Sequence, residues 1–373
     1  MNQSTGAPLT RPRLFPRLRN SVFVRPSNDP VAVARRSLAW GVFAFALATA
    51  ALSASIETVL PQVRDPEYGY RLVRLRAQKR AHPNRPLVLA LGTSRTQNAI
   101  DPEAMDFPDE PGAPFVYNFG QSNIRPLHLR LFLWRLHDAG IRPDAVFVEV
   151  FPAFLMVPGP ADAHFRDTET LLTAGDVRWL TPHLDDPAVL WRRWAMTRID
   201  PWSAYRGSLL ARVSPTAIPW SLRVDHQWVL LNQRGFNGYP PEEATDEART
   251  RKRARMYRDF GNALGALHVS ATTEEAYRDL VADCRERGIR VAFFNTPESP
   301  VFQSWYSPES RAALAAFTRM LRDELGCPVF DAPTDFAEED FADGHHMLRT
   351  PAARFSHQLA EQHLRPWLAE VLK

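Results

Sequence analysis

Residues 37–56 read SLAWGVFAFALATAALSASI, twenty in a row without a charge. About twenty apolar residues are what a helix needs to cross the hydrocarbon core of a bilayer. Arg35 and Arg36 stand at the front edge of the run. Residues 1–36 hold seven Arg against one acid, Asp29, a net of +6. An excess of Arg before a span predicts that this side stays in the cytoplasm. The flank after the span begins with Arg64, Asp65 and Glu67, and further basic residues follow at 71, 74, 76, 79 and 80, so the bias favours this orientation without being one-sided. The expectation is a basic cytoplasmic tail over 1–36, an anchor over 37–59 in the cytoplasmic membrane, and a body outside it. A cleavable signal peptide, cut near Ser53 or Ser55, and a buried soluble helix are the competing readings.

The whole chain is net +3, so the 337 residues after the tail are net −3. A nucleic-acid groove needs clustered Lys and Arg on the folded body, and this balance argues against one. Hydrophobic residues at 45% and charged residues at 23% are those of a globular domain, not of a disordered or coiled-coil chain. Two cysteines, Cys284 and Cys327, are too few for a disulfide framework or a Cys-based zinc site. Their spacing leaves open whether they pair or stand as free buried thiols.

A polar, basic connecting segment follows over 60–85, with a helix expected over 70–81. Short apolar runs then alternate with amphipathic stretches. Strands are expected over 86–91, 115–117, 145–150, 289–294 and 327–330. Helices are expected over 126–139, 274–287, 308–325 and 351–372. Strand–helix–strand alternation with apolar strands predicts an α/β fold, a mostly parallel sheet covered by helices on both faces. Residues 157–265, rich in Trp, Arg and Pro, show no strand period and read as a mainly helical insertion in the domain 86–373. Such a segment serves as a lid, a docking surface or plain scaffold.

Ligands of open α/β sheets bind at the carboxyl ends of the strands. The polar residues there are Gly92-Thr93-Ser94-Arg95, then Asn118, Gly120, Gln121, Ser122 and Asn123, then Glu149, then Asn295, Thr296, Glu298 and Ser299, and finally Asp340, Asp343, His345 and His346. A serine hydroxyl needs an adjacent base to become a nucleophile. A histidine supplies the base, and a carboxylate fixes its tautomer and steadies the imidazolium. Asp343 and His346 are three residues apart, which puts both on one face of a helical turn. The spacing favours His346 over His345 as base. Backbone N–H groups at Ser94 and Gly120 are candidate oxyanion donors, and Gly120 allows close approach to a ligand. Arg95 is a candidate for holding an anionic substrate group, and Asn295 a candidate substrate contact. The blander alternatives are a helix-capping role for Ser94, an ion pair for Arg95, a buried structural role for Glu149, and a metal cluster of Asp340, Asp343 and the two His.

Gly92-Thr93-Ser94, Asn118-Phe119-Gly120 and Asp343-x-x-His346, in this order and at strand ends, resemble the blocks of SGNH hydrolases. The nearest likeness is to membrane-anchored relatives that work in alginate O-acetylation and teichoic-acid D-alanine transfer. The likeness covers about residues 86–155 and 280–365. It implies a three-layer α/β/α sandwich with Ser94 as nucleophile, His346 as base and Asp343 as orienter. The implied chemistry is acyl-ester transfer or hydrolysis on a cell-envelope polysaccharide, with no metal or other cofactor. An acyl donor and a membrane-bound partner that passes acyl groups across the bilayer are implied too. The family's third block carries Gly-x-Asn-Asp, whose Asn helps form the oxyanion hole. Here the position reads Val148-Glu149-Val150-Phe151-Pro152, and Asn123 is the candidate substitute. A lost oxyanion donor costs about 3 kcal/mol of transition-state stabilisation. The second expectation is therefore a binding or assembly subunit with a degraded site. The Gly-x-Ser-x-Gly elbow of α/β-hydrolases is absent from the nucleophile turn.

Overall fold

Five short strands form one parallel sheet in the order β2-β1-β3-β4-β5. The computed structural model describes residues 29–156, 165, 168–240 and 245–372. The expectation for the tail falls largely on residues 1–28, and part of that for the insertion on 157–164, 166–167 and 241–244, all outside the described residues.

The first helix, α1, runs Pro30–Thr58. It is one helix long and apolar enough to cross a membrane. Trp40, Phe43, Phe45 and Leu47 are exposed on it, whereas a soluble core helix would bury such residues. The described residues fall into two units that part between Ala48 and Thr49, inside α1. Arg64 closes its far end, donating from Nη1 to the carbonyls of Ile56 at 3.0 Å and Glu57 at 2.7 Å. Those carbonyls have no partner inside the helix.

The next long helix, α2, is Pro66–Ala81 and starts four residues before the expected 70. Asp65 explains the early start: its carboxylate accepts from Tyr68 N–H at 3.1 Å, and Pro66 suits the first helical position. Then come β1 (Leu87–Leu91), the six-residue α3 (Ser94–Ala99), β2 (Phe115–Asn118), α4 (Pro126–Asp138) and β3 (Ala145–Glu149). Between β3 and β4 the chain carries short helices, among them α5 (Pro187–Ile199) and α6 (Arg206–Val213). Among the described residues of that stretch the one β contact is an isolated bridge from Tyr239 to Leu348. The alternation resumes with α7 (Ala271–Glu286), β4 (Arg290–Phe294), α8 (Pro308–Arg319), β5 (Val329–Phe330), α9 (Arg349–Leu359) and α10 (Arg365–Val371).

Side chains of a strand alternate between faces. Leu87, Leu89 and Leu91 pack with Leu129 and Phe132 of α4 and Tyr277 and Leu280 of α7. Val88 and Ala90 face the other way, toward Phe355 and Leu359 of α9 and Trp367 of α10. β1 is therefore buried at every position, as parallel strands covered on both faces are. Cys284 and Cys327 are buried free thiols, and burial pushes the Cys284 thiol up to about 12.

The chain lays β2 on one side of β1 and β3 on the other. The loops leaving β1 and β3 therefore diverge and open a crevice at their carboxyl ends. Gly92 ends β1 there because nothing larger fits: a Cβ would sit 2.6 Å from Glu149 and 1.9 Å from Thr96 Oγ1.

Candidate active site

Thr93, not Ser94, caps α3. Its Oγ1 accepts from Arg95 N–H at 3.1 Å and donates to Glu149 Oε2 at 2.9 Å. Ser94 is the first residue of the helix, so its hydroxyl is free of the capping role and its N–H has no acceptor within the helix. The turn is held from below by Glu149 at the end of β3. Besides the Thr93 hydroxyl, Glu149 Oε2 accepts from Thr93 N–H at 2.7 Å and from Thr96 Oγ1 at 2.8 Å.

From the other end of the chain comes the loop after β5. Ser94 Oγ lies 2.7 Å from His346 Nε2, and His346 Nδ1 lies 2.7 Å from Asp343 Oδ2. An ionised carboxylate only accepts, so the Nδ1 proton faces Asp343 and Nε2 is the acceptor for the Ser94 proton. Asp343 Oδ1 accepts the N–H groups of His346 at 3.0 Å and His345 at 3.3 Å. Gly344, with φ of 103°, makes the turn that allows this. Burial pushes the Asp343 carboxyl up, but the two imidazoles outweigh it and hold it well below the usual carboxylate range.

The two adjacent histidines have opposite environments. His346 is half-buried at the mouth, with the Tyr239 ring 6.5 Å away at 26°. His345 is buried against Phe151, Phe260 and Phe302. That burial, with His346 beside it, holds His345 well below the usual histidine range, so it is neutral. The ring that meets Ser94 is that of His346.

Compared with known protein families and with curated proteins, the chain matches none.

The remaining sequence candidates are placed differently. Arg95 is 1% exposed, with its guanidinium turned inward onto protein groups. Its guanidinium sits 3.3 Å from Glu149, donates to Glu298 and to Thr296 O at 2.9 Å each, and lies over the Phe151 ring. It corrects to a structural cation that joins the ends of β3 and β4. Gly120 is buried, and its N–H donates to Asn118 Oδ1 at 2.9 Å, so this N–H is not an uncommitted oxyanion donor. Asn123 is exposed with φ of 54°, a left-handed conformation Asn tolerates. Asn295 is half-buried in a groove walled by Glu298, Tyr306 and Arg311, whose lining includes neither Ser94 nor His346. On the Gly120 loop, Gln121 Nε2 is a buried donor with no partner. Gln121 N–H donates to Gly92 O at 2.9 Å, which ties this loop to the one carrying Ser94.

Asp343, His345 and His346 also form the one group of potential metal ligands among the described residues. Asp340, the fourth sequence candidate, is paired with Arg354 at 3.0 Å instead. Within the trio, Nδ1 of His346 and Oδ2 of Asp343 already bind each other, and Nε2 of His346 faces Ser94. A metal on these atoms would take the base away from the serine.

Proposed function

We propose that this chain is a membrane-anchored acyl-transfer or ester-hydrolysing enzyme of SGNH type, working outside the cytoplasmic membrane. The carrying observation is the continuous chain Ser94 Oγ–His346–Asp343, with both links at 2.7 Å. In this reading the parallel sheet and the helices on its two faces are the α/β/α sandwich of that family, and residues 157–265 are its insertion. The basic tail lies in the cytoplasm and α1 is a single-pass anchor.

His346 Nε2 takes the Ser94 proton as Oγ attacks the carbonyl carbon of an acyl donor. The tetrahedral oxyanion meets Ser94 N–H, with the Gln121 or Asn123 amide as second donor. His346 returns the proton to the leaving group, and the acyl group stays on Ser94. An acceptor hydroxyl, from a cell-envelope polysaccharide or from water, then gives its proton to His346 and attacks the acyl-serine. Ser94 is regenerated when His346 protonates it. Supply of acyl groups from the cytoplasmic side would require a membrane-bound partner.

The commitment of Gly120 N–H to Asn118 favours a second reading, a glycan-binding or assembly subunit with an incomplete oxyanion hole. A fluorophosphonate probe separates the two. We expect one adduct per chain, on Ser94, lost in Ser94→Ala and in His346→Ala. A folded wild-type protein that takes no adduct overturns the enzyme reading and leaves the binding subunit.

A further inference from the structure

Residues 49–56 of α1 belong both to the uncharged run and to the folded body. Trp202 Nε1 donates to Thr49 Oγ1 at 3.0 Å, and Ser53 Oγ donates to Arg198 O at 2.6 Å. Leu52, Ala204 and Leu209 pack around Ile56 and Tyr205. Thr49 lies seven residues before the end of the run, about 10 Å deeper along the helix. Were the body to keep Thr49 and its neighbours in water, residues 37–48 alone would be left to cross the membrane. Twelve residues span about 18 Å, far short of a hydrocarbon core of about 30 Å. The body surface level with Thr49 therefore lies at membrane depth.

That surface has the side chains for it. Met196, Ile199, Trp202, Leu210 and Val213 are 44–81% exposed, Val213 the most. They sit on α5, the short turn Pro201–Ala204 and α6. Over residues 187–230 there are six Arg and two Asp. Both acids are engaged: Asp225 is paired with Arg223 at 2.8 Å, and Asp200 caps Pro201–Ala204. Arg192, Arg193, Arg206 and Arg212 are exposed. Apolar and Trp side chains interleaved with Arg are the composition of helices that lie in a bilayer interface. Trp favours the headgroup level, and Arg the lipid phosphates.

We propose that α5, Pro201–Ala204 and α6 form a lipid-seated surface, buried in the leaflet from which α1 emerges, with phospholipid as occupant. The body is then held to the bilayer at two places and does not swing on a tether. The proposal rests on α1 crossing a membrane and is independent of the chemistry at Ser94.

The test uses the full-length chain in phospholipid nanodiscs containing phosphatidylglycerol. Nitroxide labels are placed singly by Ile199→Cys, Val213→Cys, Phe45→Cys within the span, and Glu309→Cys on the exposed first turn of α8; Cys284 and Cys327 are buried and take no label in the folded chain. Collision rates with oxygen and with a water-soluble nickel chelate give the depth. We expect the oxygen-to-nickel ratio at 199 and 213 to exceed that at 309 severalfold and to approach that at 45. Water-like ratios at 199 and 213 with a lipid-like ratio at 45 overturn the lipid seat, leave the anchor standing, and hand the surface to a protein partner. Water-like ratios at all four sites overturn both.

Discussion

Ser94 owes its freedom to Thr93. The capping bond falls one residue earlier than Ser94, so the hydroxyl that follows is left for His346. The types and spacing of Ser94, Asp343 and His346 were legible because the chemistry of a nucleophile, a base and an orienter is local and ordered. The fate of Arg95 was not. Its partners Glu298 and Thr296 are about 200 residues away, and nothing in GTSR shows that the guanidinium turns inward. Gly120 was half-legible: Asn-x-Gly is the pattern of an Asx turn, which consumes the Gly120 N–H. The spacing from Asp343 already favoured His346 over His345, but not legible were the three phenylalanines, from three different segments, that enclose His345. His345 carries a prediction at this scale. Folded His345 stays neutral, whereas in the unfolded chain it takes a proton near pH 6.5. Below that pH the unfolded state binds more protons, so stability falls as pH falls, by up to about 1.4 kcal/mol per pH unit. His345→Phe, in its aromatic surroundings, removes this contribution. Urea unfolding of both proteins between pH 7 and 5 should show a shallower acid decline for the variant; parallel declines would place the charge change elsewhere.

At the scale of elements, the four longer strands were legible as apolar runs bounded by Gly and Pro. β5 has two residues where four were expected, because only Val329 and Phe330 pair with β4. The helices expected over 308–325 and 351–372 each contain a wider π-type turn, at Met320–Glu324 and Ala360–Leu364. Helical periodicity does not register such turns, since the residues on either side keep an apolar stripe. Nor did it reveal how α2 is fastened. Arg135 of α4 donates to Asp65, which caps α2, at 3.1 Å, and to both oxygens of Asp176 at 3.0 and 2.8 Å. All three side chains are buried. Removing one member of such a group leaves a buried charge short of its partner. Asp176→Ala should cost about 3–5 kcal/mol, on that scale, in a urea unfolding midpoint converted through a common slope. A loss under about 1 kcal/mol would mean water or Asp65 alone satisfies Arg135.

For the molecule as a whole, the sheet order decides what meets what. β3 and β4 lie between β1 and β5, so the loop after β5 reaches back past their carboxyl ends to set His346 against Ser94, which the sequence shows only as two distant polar motifs. The packing around the sheet also closes off both thiols, Cys284 on α7 and Cys327 before β5. A thiol reagent should therefore modify neither in the native protein and both in denaturant, with native labelling slower by at least about a thousandfold, the fraction of open molecules in a stable domain. Fast native labelling of one cysteine would reveal a local opening at its end of the sheet. The separation of 252 positions from Ser94 to His346 sets a clock on biosynthesis. A ribosome adding about 5–20 residues per second takes on the order of 10 s to 1 min over that stretch. During that interval the serine has no His346 imidazole beside it, and on the function proposed above it stays an ordinary alcohol. On the same proposal, a chain that stalls or is clipped between residues 331 and 345 carries all five strands yet has no base for Ser94, so the arrival of residue 346 is itself the step that arms the site.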